Sequence, residues 1–212
     1  MIHYEKLLFR LKPTPFGHVG IFPEQARHWS WIGNHIARAA NRPKVLNLFG
    51  YTGGSTLAAA AAGADVVHVD SAKNMVTRAR ENAERSGLAP TAIRWMVEDA
   101  PKFVSRELKR GNTYDAVILD PPSYGHGPKG EVWKLEQDLL ILLEMCGRLT
   151  RDRLALVLLT CHSPGFGPER LNNLLAEAIP DAGRGTDYGE MRLESAAGPR
   201  LVCGAYARWA KK

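Results

Sequence analysis

Apolar positions in this chain fall into short runs separated by amphipathic stretches, in an order that reads as alternating strands and helices. Val45 to Phe49 is an apolar run of the kind that forms a parallel strand buried on both faces. Gly50-Tyr51-Thr52-Gly53-Gly54 follows as a tight turn. Ser55 to Ala62 is alanine-rich and predicts a helix, which Gly63 ends. Asp65 to Asp70 predicts a second strand with Asp70 at its carboxyl end. The alternation then continues as helix over Ala72–Ser86, strand over Ala92–Val97, helix over Pro101–Arg110 and strand over Tyr114–Leu119. Trp133–Leu149 predicts a long amphipathic helix, Leu154–Leu159 a fifth strand and Glu169–Ile179 another helix. Gly189–Ser195 and Leu201–Trp209 read as an antiparallel hairpin closing the sheet. This order gives an α/β, Rossmann-like fold.

Residues 1–42 stand before that pattern as an N-terminal extension, with 43–212 as the main domain. His3 to Arg10 alternates loosely as a strand, Pro13 and Pro15 break it, and His18 to Phe22 is a second apolar run, so a hairpin over residues 3–22 is expected. Pro23 suits the first turn of a helix reaching about Ala40, with Trp29, Ile32 and Ile36 on its apolar face and Trp31 pointing elsewhere.

Composition narrows the class. The chain has 212 residues, 45% hydrophobic and 24% charged, as expected of one globular domain. Its net charge is +6, and residues 1–42 carry six Lys and Arg against two Glu, so a basic face compatible with nucleic acid is expected there. Three cysteines, Cys146, Cys161 and Cys203, make no metal-ligand spacing and no disulfide framework, which fits a reduced cytoplasmic setting. No signal peptide and no apolar run near membrane-spanning length is evident.

The turn at Gly50–Gly54 carries the first chemistry. A glycine turn leading into a helix N-terminus suits an anionic group, and Asp70, about 20 residues on, is where a carboxylate grips ribose hydroxyls. A dinucleotide or S-adenosylmethionine fits; the G-x-G-x-x-G fingerprint of dinucleotide sites is absent. Glu98-Asp99 ends the third strand, where a carboxylate can accept from an adenine amino group. The fourth strand runs into Asp120-Pro121-Pro122-Ser123-Tyr124, a rigid segment with a carboxylate at the strand end and an aromatic face for a planar ring. Gly125, Gly127 and Gly130 predict a mobile loop carrying Lys129, able to close over a substrate.

LNLFGYTGGSTLAAAAAGA, DPPSYGHGPKGEVW and the GIFPEQ lead-in together resemble class I S-adenosylmethionine-dependent methyltransferases. More narrowly, they resemble the bacterial 23S rRNA (cytosine-C5) family without its N-terminal RNA-binding domain. The resemblance covers about residues 44–209. It implies a seven-stranded sheet in order 3-2-1-4-5-7-6 with strand 7 antiparallel, no metal, and RNA as partner. It also implies that a partner, a homodimer or an exposed substrate supplies the missing affinity. By position, Gly50, Thr52 and Gly53 would lie against the methionine part of the cofactor, Asp70 on the ribose and Asp99 on the adenine. Asn47, Phe49, Tyr51, Ser71, Ala100 and Asp120 complete the cofactor set. Pro121, Pro122, Ser123, Tyr124 and Lys129 would face the substrate.

Cys161 falls where the cytosine-C5 relatives carry a nucleophile, in a stretch that here reads Thr-Cys-His, and Asp120 would stabilise the adduct. Two other readings stand beside this one. In the first, Asp120 to Tyr124 serve an exocyclic-amine, small-molecule or protein methyltransferase and Cys161 is core. In the second, the chain is a non-catalytic RNA-binding module.

Overall fold

The computed structural model describes residues 1–12, 19–183, 185–193 and 198–211. In chain order its first half comprises β1 (Ile2–Tyr4), β2 (Leu7–Phe9), a 3-10 turn (Pro23–Gln25), α1 (Ala26–Ala37), β3 (Lys44–Leu48), α2 (Gly54–Ala61), β4 (Asp65–Asp70), α3 (Lys73–Arg85) and β5 (Ile93–Val97). The second half comprises α4 (Ala100–Lys109), β6 (Ala116–Leu119), β7 (Tyr124–His126), β8 (Val132–Lys134), α5 (Leu135–Leu149), β9 (Leu156–Cys161), α6 (Pro168–Ala178), β10 (Asp187–Leu193) and β11 (Leu201–Ala210).

Among the described residues the main sheet has seven strands, in the order β10-β11-β9-β6-β3-β4-β5. Six run in one direction; β11 alone runs antiparallel, to both β9 and β10. Counted along the chain, this is the expected order read from the opposite edge. Period-two alternation divides the strands between two layers. Leu46, Leu48, Val67, Val69, Val117, Leu119, Val157 and Leu159 face α4, α5 and α6. Val45, Val66, Ala116, Ile118, Leu156 and Leu158 face α1 and α2. Every residue of β3 after Lys44 is buried, as its position at the sheet centre requires.

The N-terminal extension packs as part of the domain. The first apolar run folds on itself as β1–β2, turning at Glu5, whose φ is 49°, and just beyond it Lys12 N–H donates to the Val19 carbonyl (2.9 Å), a backbone bond towards the second run. The start of the expected second run at His18, with Pro13 and Pro15, lies outside the described residues, as do Glu194 and Ser195. Residues after Val19 enter the 3-10 turn without forming a strand. The hairpin is fastened to α3, where Leu8 N–H donates to Ser86 Oγ (2.9 Å) and Arg10 N–H to Asn82 Oδ1 (3.0 Å). Helix α1 stops at Ala37, short of Ala40, and buries Trp29, Ile32 and Ile36 as its spacing implied. Trp31 sits at the rim with the Arg208 guanidinium 4.9 Å from its ring.

Two boundaries moved for physical reasons. Trp133 is in β8 rather than α5, because its buried indole donates to the Pro122 carbonyl (2.8 Å) and fixes that residue in a second hairpin, β7–β8. The stretch 125–130 read as a mobile loop is largely the tip of that hairpin. Strand β9 runs two residues past Leu159, because Thr160 and Cys161 pair with Tyr206 and Ala205 of β11.

Trp29 joins the extension to the domain. It stacks on Phe9 with ring centroids 5.4 Å apart and meets Tyr4 edge-on at 5.2 Å. A Cβ at Gly54 would come within 2.5 Å of its ring, so the start of α2 fits against the indole only as glycine. Replacing Trp29 by Ala should cost about 3–5 kcal/mol. The measurement is the urea midpoint at unchanged slope; a loss below ~1 kcal/mol would show that the extension is not held by this contact.

Candidate functional site

The site forms at the carboxyl ends of the parallel strands, where a doubly wound sheet binds ligands. After β3 the chain turns sharply. Phe49 and Tyr51 both take left-handed backbone angles, φ 56° and 49°, a conformation that side chains with a Cβ adopt at a cost. Gly53, at φ 93°, caps the start of α2. Two kinds of contact hold this turn. Tyr51 N–H donates to Asp70 Oδ2 and Ala72 N–H to Asp70 Oδ1, each at 2.8 Å. Burial raises the Asp70 carboxyl while these two amides oppose the shift. From below, the His68 ring fills the space where a Gly50 side chain would project, with the nearest ring atom 2.4 Å from that position. Burial lowers His68 to about 3, so it is neutral. It completes a chain in which Asn47 Nδ2 donates to Thr56 Oγ1 (2.8 Å) and Thr56 Oγ1 lies 2.9 Å from His68 Nδ1.

These contacts change the reading of the motif. Gly50 and Gly54 are glycines because His68 and Trp29 occupy their side-chain directions, where a ligand's approach was the expected reason. Thr52 spends its hydroxyl on the Gly20 carbonyl at 2.8 Å, tying the turn to the N-terminal segment.

Above the turn lies a small cavity of about 40 Å³, partly open to solvent. Of the expected cofactor residues, Asn47, Phe49, Gly50, Tyr51, Thr52 and Asp120 are in its wall. Asp70 reaches it through the Tyr51 amide. Ser71, Asp99 and Ala100 lie at the ends of the neighbouring strands. Asp99 caps α4 by accepting from Lys102 N–H at 3.0 Å, and its carboxyl is raised, mainly by burial.

The far wall was not anticipated. Gln25 Nε2 donates to Asp120 Oδ2 (3.1 Å) and to Thr160 Oγ1 (3.0 Å), and Thr160 Oγ1 donates to Asp120 Oδ1 (2.7 Å). Phe22 packs on Tyr51 and on His162, with centroids 5.3 and 5.4 Å away. His162 Nε2 lies 3.5 Å from Asp120 Oδ1, its Nδ1 3.6 Å from Glu24 Oε1 and 2.9 Å from the Cys203 carbonyl. The sequence signal was the GIFPEQ stretch, which carried a resemblance but no role.

The expected substrate residues are dispersed. Pro121 is buried, and the Pro122 carbonyl already accepts the Trp133 indole. Ser123 Oγ lies 2.7 Å from Ser163 Oγ. Tyr124 is 54% exposed, with His126 edge-on to its ring. Lys129 is at the exposed hairpin tip, which Glu131 anchors by an ion pair with Lys102. Cys161 is 1% exposed and packed among the α5–α6 core residues. Its Sγ accepts from Ser163 N–H at 3.4 Å, and burial pushes its thiol above the ordinary range.

Burial works against a charged His162, yet the bond to Asp120 and the charges of Asp120 and Glu24 outweigh it and push the imidazole up to about 9. His162 is therefore cationic at neutral pH and binds its proton more tightly folded than unfolded. Its contribution to stability is full below pH 6.5, the ordinary histidine value, and is lost as pH rises through about 9. The stability gap between wild type and His162→Gln should narrow across that window in urea titrations; a gap independent of pH would refute the ion pair.

Residues 2–186 match the family of S-adenosylmethionine-dependent methyltransferases. The solved SAM-dependent methyltransferase from Agrobacterium tumefaciens is 38% identical with a TM-score of 0.93, covering 100% of this chain and 69% of that one. A solved protein from Streptococcus mutans shares the fold, with a TM-score of 0.71 and 20% identity over 92% of this chain and 50% of that one. Ribosomal RNA large subunit methyltransferase I from Aeromonas hydrophila is 31% identical over 173 residues, covering 77% of this chain and 41% of that protein. The chain thus spans about two fifths of the length of the curated relatives it matches. With its fold, its turn and its profile in agreement, the chain belongs to the S-adenosylmethionine-dependent methyltransferase family.

Proposed function

We propose that this protein methylates a base in RNA, of the ribosomal class. The observation that carries the reading is Asp120, held by Gln25, Thr160 and His162 in the same cavity wall as the Asp70-clamped turn. The names of the curated relatives and the net charge of +6 support RNA as substrate.

The residues present fit S-adenosylmethionine. Each Asp70 oxygen takes one backbone amide and keeps a lone-pair direction for a ribose hydroxyl. Asp99 uses Oδ1 for its cap and has a second oxygen for an amino donor. Asn47, Phe49, Gly50, Tyr51, Thr52 and Gly53 would border the methionine part, with Ser71 and Ala100 beside Asp70 and Asp99. When bound, the cofactor supplies an electrophilic methyl group on a sulfonium. The protein's own task is then positioning and exclusion of water. Asp120 accepts hydrogen bonds from the base, and its three partners keep it oriented. Pro121 and Pro122 stiffen the approach, and Tyr124 offers a ring face.

Two target atoms are open to this site. The covalent route would add the Cys161 thiolate to C6 of a cytosine, methylate C5, then remove the C5 proton as the thiolate leaves. It requires Cys161 to leave the core and lose its proton. The burial of Cys161, beside an exposed Tyr124 and an accessible Asp120, favours the second route, in which Asp120 accepts from an exocyclic amine. Lys129 lies at the hairpin tip, within reach of a bound polyanion only if the strand passes there.

The test is transfer of labelled methyl to unmodified ribosomal RNA, with the nucleoside identified by mass spectrometry. Asp120→Ala should lose about 100-fold or more in turnover, and Cys161→Ala should remain within a few-fold of wild type. Label in 5-methylcytidine that disappears with Cys161→Ala would assign the covalent route instead. Label in protein or metabolites alone would overturn the RNA reading.

A further inference from the structure

The N-terminal segment and α3 meet in an open groove of about 900 Å³. Among the described residues lining it are four cations, Arg10, Lys12, Lys73 and Arg78, and one carboxylate, Glu81, which lies 3.5 Å from Arg10 Nη1. Arg10 and Lys12 come from the end of the hairpin; Lys73 and Arg78 come from the first turns of α3, more than sixty residues later. The fold therefore brings together charge that the sequence scatters. Arg10, Lys12 and Lys73 are exposed. Arg78 is partly buried, donating to the Arg10 carbonyl at 3.3 Å and filling the space beside Gly20.

The groove is wired to the catalytic cavity. Asn82 accepts from Arg10 N–H through Oδ1 and donates to the Thr52 carbonyl through Nδ2, both at 3.0 Å. Thr52 in turn donates to the Gly20 carbonyl. One residue, Asn82, thus separates the basic groove from the turn under the cavity. One end of the groove, at Lys73, lies three residues after Asp70 at the carboxyl end of β4.

We infer that Arg10, Lys12, Lys73 and Arg78 form a docking track for the phosphate backbone of the RNA strand whose base enters the cavity. The inference rests on the RNA reading given above. Lysines and arginines spaced along an open groove suit a flexible polyanion, where a single closed phosphate pocket would suit a mononucleotide. Such a track supplies affinity without sequence, leaving selection to the cavity.

The probe is a fluorescently labelled single-stranded oligoribonucleotide from ribosomal RNA, with anisotropy read between about 50 and 200 mM salt. The triple variant Arg10→Gln/Lys12→Gln/Lys73→Gln leaves Arg78, which also props Gly20, untouched. Each phosphate contact contributes about 0.7 to the slope of log affinity against log salt for a single strand, so the slope should fall by about 2. S-adenosylmethionine binding, measured by calorimetry, should be unchanged. Lys109→Gln, an exposed cation at the other end of α4, should leave both unchanged. A triple variant with the wild-type slope overturns the track and leaves the RNA reading standing. Wild type that binds the cofactor but no RNA overturns both. Equal losses of RNA and cofactor binding would mark damage to the turn and overturn the track as well.

Discussion

Two backbone amides, from Tyr51 and Ala72, donate to the one carboxylate of Asp70, and much of the site follows from that pair of bonds. The turn after β3 places two side-chain-bearing residues in left-handed conformations, which costs of order 1–3 kcal/mol each. A structure keeps such strain only where its surroundings over-determine it. Here the carboxylate holds the turn from the side and the buried His68 ring supports it from below. The clamp does more than bind: it joins the end of β3 to the end of β4. The ribose contacts expected of Asp70 and the backbone bend at Tyr51 therefore depend on the same group.

The opposite wall depends on the N-terminal segment. Gln25 reaches from the 3-10 turn before α1 to Asp120 and Thr160, at the ends of β6 and β9. Thr52 and Phe22 fasten the same segment to the glycine turn. The described part of the N-terminal extension thus helps build the cavity as well as covering an edge, and the placement of Trp29 against Gly54 fixes how closely it approaches. Charge follows the same logic. His162 is held cationic between Asp120 and Glu24, so a carboxylate from the sheet and one from the N-terminal segment share one proton-bearing ring. Repulsion between the two acids is relieved by the residue that links them.

The parallel sheet was legible because its strands are short apolar runs punctuated by glycine and by acids at their ends, signals that arise from local geometry. Asp70, Asp99 and Asp120 were legible for the same reason, since a carboxylate just after an apolar run can only sit at a strand end. What could not be read were pairings between distant segments. Nothing near Gln25 in the chain announces Asp120, and nothing near Gly50 announces His68. The extra hairpin β7–β8 was missed because three glycines read as flexibility, whereas Trp133 and the Lys102–Glu131 ion pair order the segment from outside it. The helix expected to begin at Trp133 failed on the same point: a bulky aromatic at a helix start looks like its apolar face until a carbonyl elsewhere takes its N–H.

Thr160 and Cys161 show how much one residue of register decides. Both are buried at the end of β9, and both pair with β11. Because side chains alternate across a strand, Thr160 faces the α1 side and bonds Asp120, while Cys161 faces the α5–α6 core beside Leu159 and Phe166. A thiol on that face is desolvated, and burial outweighs the Ser163 amide and the Arg170 charge that would favour its thiolate. The nearest imidazole, His162, is already engaged by Asp120, Glu24 and the Cys203 carbonyl. For Cys161 to reach a base in the cavity, its thiol would have to leave the core in which it is buried. For Asp120 no such change is needed, since its carboxylate already stands in the cavity wall. The strand's alternation therefore assigns the two chemistries different structural costs before any substrate arrives.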